Sequence, residues 1–117
     1  MTFYMLDTNI ISDLIKHPQG KAARRIATIG EDGICTSIIV AAELRYRCAK
    51  SCSKRLLKAV EDLLGEIPVL PFDVLADAGY GGIRSELEAA GKPIGSNDLL
   101  IAAHAYAVGA TCHCQRR

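Results

Sequence analysis

Apolar and polar positions along the chain change period several times, and each change marks an element. Residues 3–6 are apolar without alternation and stop at the polar triplet Asp7-Thr8-Asn9, the pattern of a short buried strand. Ile10, Ile11, Leu14 and Ile15 then share one helical face until His17-Pro18-Gln19-Gly20 interrupts it. Residues 21–30 read as a second short helix with Gly30 as its C-terminal cap. Residues 33–39 form a second apolar run and predict a second strand. The Ala, Leu and Arg content of 40–50 favours helix. Over 53–66 the positions Leu56, Leu57, Val60, Leu63 and Leu64 make an apolar helical stripe. Residues 67–72 predict a third strand, kept short or near an edge by Pro68 and Pro71. A helix follows over 73–95, weakened in its middle by Gly79, Gly81 and Gly82 and closed by Gly91-Lys92-Pro93. A final helix over 96–110 has Ser96 or Asn97 as its expected N-cap. Strands alternating with helices predict a parallel sheet covered on both faces.

Composition narrows the setting. A chain of 117 residues, 50% hydrophobic and 23% charged, is one globular domain with a substantial core. No apolar run approaches the roughly 20 residues of a membrane helix, and the start "MTFYMLDTN" lacks the features of a signal peptide. The expectation is a cytoplasmic protein with no membrane contact. Cys35, Cys48, Cys52, Cys112 and Cys114 are an odd set without an export signal, which favours reduced thiols. The net charge of +1 says little, but its distribution is uneven. Arg45, Arg47, Lys50, Lys54, Arg55 and Lys58 occur with no acid among them. They make either a solvated helical face or a surface for a polyanion or an acidic protein partner.

Three acids occupy the ends of elements. Asp7 ends the first strand, where ligands of open α/β sheets bind. Asp98 falls in the first turn of the last helix, a position that also suits an acid simply offsetting the helix dipole. Glu43 lies among apolar neighbours on the helix after the second strand, within reach of an i,i+4 ion pair with Arg47. All three can open onto one crevice, where carboxylates repel each other unless a cation offsets them. Oxygen-only donors suit Mg²⁺ or Mn²⁺. Such an ion polarises a phosphate oxygen and activates a bound water, so the set predicts metal-dependent phosphodiester hydrolysis. The remaining chemistry is thin. His17, His104 and His113 make no catalytic set, and His104 among alanines reads as packed or surface. No cysteine has an activating base nearby. "GYGG" lacks the strand before it and the Lys-Ser/Thr after it that a phosphate loop requires.

Three stretches carry a family resemblance: "YMLDTNIISDLI", "SIIVAAELRYR" and "IRSELEAAGKPIGSNDLLIAAHA". In this order and spacing they resemble the PIN-domain ribonucleases, and within them the VapC-type toxins of type II toxin–antitoxin systems. The resemblance implies an α/β/α sandwich on a central parallel sheet, over residues 1–111. It implies a Mg²⁺-dependent (or Mn²⁺-dependent) endoribonuclease that cleaves RNA, tRNA being one candidate substrate. It also implies a cognate VapB-type antitoxin and a homodimer. Position by position, Asp7, Glu43 and Asp98 match the family's catalytic, metal-binding acids. Thr8 and Asn9 match the residues that follow the first acid, with Asn9 expected to orient Asp7 by hydrogen bonding. A structure-specific DNA nuclease would use the same acids and is a third reading.

The chain departs from the family at its end. Such toxins continue from the last helix through a strand reading roughly "LVT-x-N", then "EF", adding a sheet strand and a fourth polar group near the metal. Residues 112–117, Cys-His-Cys-Gln-Arg-Arg, are a non-family tail, so the last strand is expected to be missing or replaced. Codons for Cys-His-Cys-Gln-Arg, read one base later, can encode Val-Thr-Ala-Asn-Asp, so a frameshift after Thr111 would turn the family ending into this one. The alternative function is therefore a truncated, catalytically weak or inactive relative that keeps only antitoxin binding. A zinc site from Cys112, His113 and Cys114, joined by Cys48 and Cys52, does not match a common spacing.

Overall fold

A computed structural model describes residues 3–92 and 94–113. β1 (Tyr4–Leu6) is followed by α1 (Thr8–Lys16) and α2 (Lys21–Ile29), and a single 3₁₀ turn at Glu31–Gly33 leads into β2 (Ile34–Ser37). α3 (Ile38–Ser51) and α4 (Lys54–Glu66) lead to β3 (Val69–Leu70), and α5 (Val74–Ala89) and α6 (Ser96–Ala107) lead to β4 (Thr111–His113). The four strands are parallel in the order β3-β2-β1-β4. The predicted α/β architecture is this one, with strands shorter than the apolar runs suggested. Residues 38 and 39 belong to α3 rather than β2, because the Ser37 hydroxyl accepts the Ile39 N–H at 3.1 Å and starts the helix there.

The strand expected to be missing or replaced is present in replaced form. Tyr4, Met5 and Leu6 pair with Thr111, Cys112 and His113, so β1 has a neighbour on both sides. A parallel ladder is made by main-chain groups that any non-proline residue supplies. Delivering the chain to the right place is enough, and the turn through Gly109, at φ +73°, does so. Cys114–Arg117, and with them the end of the 112–117 tail, lie outside the described residues.

Met5, Leu6, Ile10, Ile11, Cys35, Val40, Leu44, Val60 and Ile101 form the buried core between sheet and helices. Burial disfavours the Cys35 thiolate and pushes its pKa up to about 11, so this thiol is inert packing. α5 survives its three glycines. At Gly79 a Cβ would stand 3.1 Å from the Ala103 carbonyl oxygen, so the glycine lets α6 approach closely. α5 ends where Gly91 takes φ +68° and Lys92 N–H reaches back to the Leu87 carbonyl, a Schellman-type stop. α6 starts one residue earlier than expected. Gly95, not Ser96 or Asn97, is its N-cap, and the Gly95 carbonyl already accepts the Leu99 N–H at 2.9 Å. Among the described residues no helix is long and apolar enough to cross a membrane.

Candidate functional site

Asp7 follows β1 directly and is only 5% exposed. It is the N-cap of α1, its Oδ1 accepting the Ile10 N–H at 2.9 Å. An extended backbone at a strand end followed at once by a helix leaves little choice of side chain here. An acid both satisfies an orphan amide and complements the positive helix end. Thr8, the next residue, is also buried, and its hydroxyl donates to Glu43 Oε2 at 2.9 Å across 35 residues of sequence. The other oxygen of Glu43, Oε1, is buried without a hydrogen-bond partner. Arg47, the alternative ion-pair partner for Glu43, instead donates to Ser12 Oγ at 3.1 Å. Asp7 and Glu43, which come from different elements, are thus joined through Thr8.

Asp98 stands apart from this link. It is exposed in the first turn of α6, where an acid offsets the positive end of the helix. Topology does bring it to the right side of the sheet. α6 runs back to feed β4, which is parallel to β1, so the α6 N-terminus lies toward the edge where β1 ends. Among the described residues no group of three or more His, Cys, Asp or Glu side chains is placed to hold a metal ion between them. The donor chemistry at Asp7 and Glu43 nevertheless fits a hard cation, since Glu43 Oε1 is a buried acceptor with nothing to accept. Mg²⁺ commonly takes only one or two protein carboxylates and keeps several waters. The side chains of Cys112 and His113 and all of Cys114, the core of the zinc reading, lie outside what is described. Cys48 is buried and Cys52 exposed.

A second group of buried polar residues, with no local signature in sequence, lies at the same edge. Thr36, fully buried in β2, donates its hydroxyl to the Leu6 carbonyl at 2.7 Å, one residue before Asp7. His104 on α6 is 1% exposed, as a packed rather than surface histidine. Its Nδ1 lies 2.7 Å from Ser37 Oγ, and its ring meets Phe72 edge-on at 5.5 Å. Burial pushes the His104 imidazole below its ordinary pKa, opposed by the backbone of Pro71; the ring is neutral near pH 7. The basic run on α3 and α4 is partly compensated. Arg45 pairs with Glu61 at 3.4 Å and Lys58 with Asp62 at 3.2 Å, both exposed to solvent. Such pairs contribute little to stability, but they leave Arg47 and Lys50 as the excess charge nearest Glu43 on α3.

Comparison with known proteins completes the picture. The PIN-domain family pattern matches residues 4–112. Ribonuclease VapC2 of Rickettsia felis is 40% identical over 110 residues, covering 92% of this chain and 82% of that protein. The tRNA(fMet)-specific endonuclease VapC of Shigella flexneri is 36% identical over 110 residues, covering 93% and 83%. The crystal structure of VapBC2 from Rickettsia felis bound to a promoter DNA fragment contains a chain that superposes with a TM-score of 0.86. That match has 35% identity and covers 95% of this chain and 86% of the other. On fold and sequence together, the chain belongs to the PIN-domain family, in its VapC ribonuclease group.

Proposed function

We propose that this chain is the toxin of a VapBC-type pair, a Mg²⁺-dependent (or Mn²⁺-dependent) endoribonuclease with Asp7, Glu43 and Asp98 as its acids. The observation that supports the reading is the bond from Thr8, the residue after Asp7, to Glu43, which ties α3 to the end of β1 and leaves one buried Glu43 oxygen without a partner. When bound, a divalent ion there would supply Lewis acidity toward a phosphate oxygen and an acidified water. The protein's own residues do the rest. Asp7 is fixed by capping α1, Thr8 holds Glu43 by one oxygen and turns the other inward, and Asn9 orients Asp7. Asp98, on the first turn of α6, is assigned to the set by its place at the same end of the sheet. Arg47 and Lys50 offer cationic footing for an RNA backbone. The similarity to a tRNA(fMet)-specific endonuclease makes transfer RNA the first substrate to try. The structural likeness to a chain of a VapBC complex supports a VapB-type antitoxin partner. A homodimer and action in the cytoplasm complete the reading.

Cleavage of total and transfer RNA by purified protein, with Mg²⁺, Mn²⁺ or chelator, tests the proposal. Metal-dependent cleavage that disappears in Asp98→Asn is the expected result. Equal cleavage by wild type and Asp98→Asn would trace the activity to a contaminant.

The exposed, ungathered placement of Asp98 favours a second reading, a catalytically weak relative that retains antitoxin binding. Expressing the chain without antitoxin separates the two. Growth arrest relieved by Asp7→Ala supports the toxin, and normal growth with soluble protein supports the weak relative.

A further inference from the structure

We infer that His104 is a positioning residue for the carboxylate site, acting through Ser37; the assignment rests on the metal-dependent reading above. A buried imidazole carries a desolvation cost. His104 is buried to 1% exposure with its Nδ1 2.7 Å from Ser37 Oγ and the Pro71 backbone beside the ring, and its Nε2 makes no hydrogen bond within ordinary geometry. A phenylalanine or leucine would fill the same space against Phe72 without stranding a polar nitrogen. Packing therefore does not explain a histidine here, and the bond to Ser37 is what an apolar residue would lose.

That bond sits where the acid-bearing elements meet. Ser37 is the last residue of β2 and the N-cap of α3, its Oγ also accepting the Ile39 N–H, so its position sets where α3 begins. Glu43 lies six residues further along α3, and Asp98 lies six residues before His104 on α6. At 1.5 Å per residue each acid is about 9 Å along a stiff helix from the same hydrogen bond. The neighbouring Thr36 donates to the Leu6 carbonyl, which holds the main chain just ahead of Asp7. Thr36 and Ser37 at the end of β2 thus tie together all three segments that carry the proposed acids. α3 and α6 pack directly on one another. His104 supplies the polar bond across that contact, which fixes how far Asp98 stands from Glu43. Groups bonded directly to metal ligands tune metal affinity; this bond acts one step further out, through the placement of the helices that carry the acids.

The test compares wild type with His104→Asn, His104→Gln and His104→Phe. Folding is checked by circular dichroism and thermal melting. Mn²⁺ binding is read by calorimetry on the RNA-free protein, and kcat and KM by RNA cleavage. An asparagine amide reaches the place of Nδ1 and a glutamine amide the place of Nε2, so only the first can keep the bond to Ser37. His104→Phe and His104→Gln are expected to weaken Mn²⁺ binding about tenfold or more. They should lower kcat while leaving the RNA KM within about twofold, and His104→Asn should recover most of both. If His104→Phe does not fold, the Asn–Gln pair decides alone. Equal Mn²⁺ affinity in folded His104→Asn and His104→Gln overturns the inference and leaves the metal reading standing. A wild-type chain that binds no Mn²⁺ overturns the metal reading, and this inference with it.

Discussion

Asp7 caps α1, the proposed function gives its carboxylate a second task, and two substitutions separate them. Asp7→Ala removes the acceptor for the Ile10 N–H, a bond of 2.9 Å in a residue only 5% exposed. Loss of an N-cap side chain costs about 0.5–2 kcal/mol. Burial and the ionised acceptor place this site toward the upper end, at about 1.5–2 kcal/mol. With roughly 2.1 cal/mol/K of unfolding entropy per residue, the 117-residue chain changes by ~0.25 kcal/mol per degree. Asp7→Ala should therefore lower Tm by about 6–8 °C. Asp7→Asn keeps an equally good cap and should melt within about 2 °C of wild type. Both should lose ribonuclease activity by more than about a hundredfold, the counterpart of several kcal/mol of metal-centred stabilisation. Scanning calorimetry on metal-free protein and single-turnover cleavage measure the two effects apart. If Asp7→Ala melts with the wild type, the cap contributes nothing and the account of why an acid stands at this strand end is wrong. If Asp7→Asn keeps its activity, the carboxylate charge is not what the chemistry uses.

Other substitutions follow from the same geometry. Gly81→Ala, with open space around its Cβ, should stabilise α5 by about 0.8–1 kcal/mol. Gly79→Ala should show none of that gain, because its methyl meets the Ala103 carbonyl oxygen at 3.1 Å; chemical denaturation of the two variants side by side checks the contrast. Ile11→Ala, at a fully buried core position, should cost about 2–5 kcal/mol by the same measurement. The His104 pKa is lowered in the fold, so the unfolded chain binds more protons below the ordinary histidine value near 6.5. Stability due to neutral His104 is then complete above pH 6.5 and falls as the pH drops toward the folded-state pKa. Wild type should therefore lose Tm relative to His104→Phe as the pH falls from 7.5 to 5.5; an unchanged offset would contradict the burial of the imidazole.

Local pattern carried the reading as far as local physics reaches. The apolar run before Asp7, the helical stripe of Leu56, Val60 and Leu63, and the turn at Gly91 each depend on neighbours in sequence, and all are where the pattern placed them. Bonds between distant residues left no such trace. Thr8 with Glu43 spans 35 positions and Ser37 with His104 spans 67. A buried serine–histidine pair looks in sequence like any polar residue at a strand end and any histidine among alanines. The helix start at Gly95 was missed for a different reason. The preference for Ser or Asn as a cap is worth little when an extended Gly95 already presents its carbonyl to Leu99. Asp7 and Asp98 stand out as candidates because strand ends and first helical turns are few. Their mutual distances were not, since these depend on how α3 and α6 are held.

The position of β4 has a consequence for the order of folding. β1 meets β2 after some thirty residues, but its other neighbour lies more than a hundred residues away in sequence. Closing the longer loop carries the larger entropy cost and comes last. During synthesis the first strand must therefore wait, half paired, for the final helix to carry its partner alongside. A chain released early would present Tyr4–Leu6 as an open template, prone to recruit a strand from another molecule.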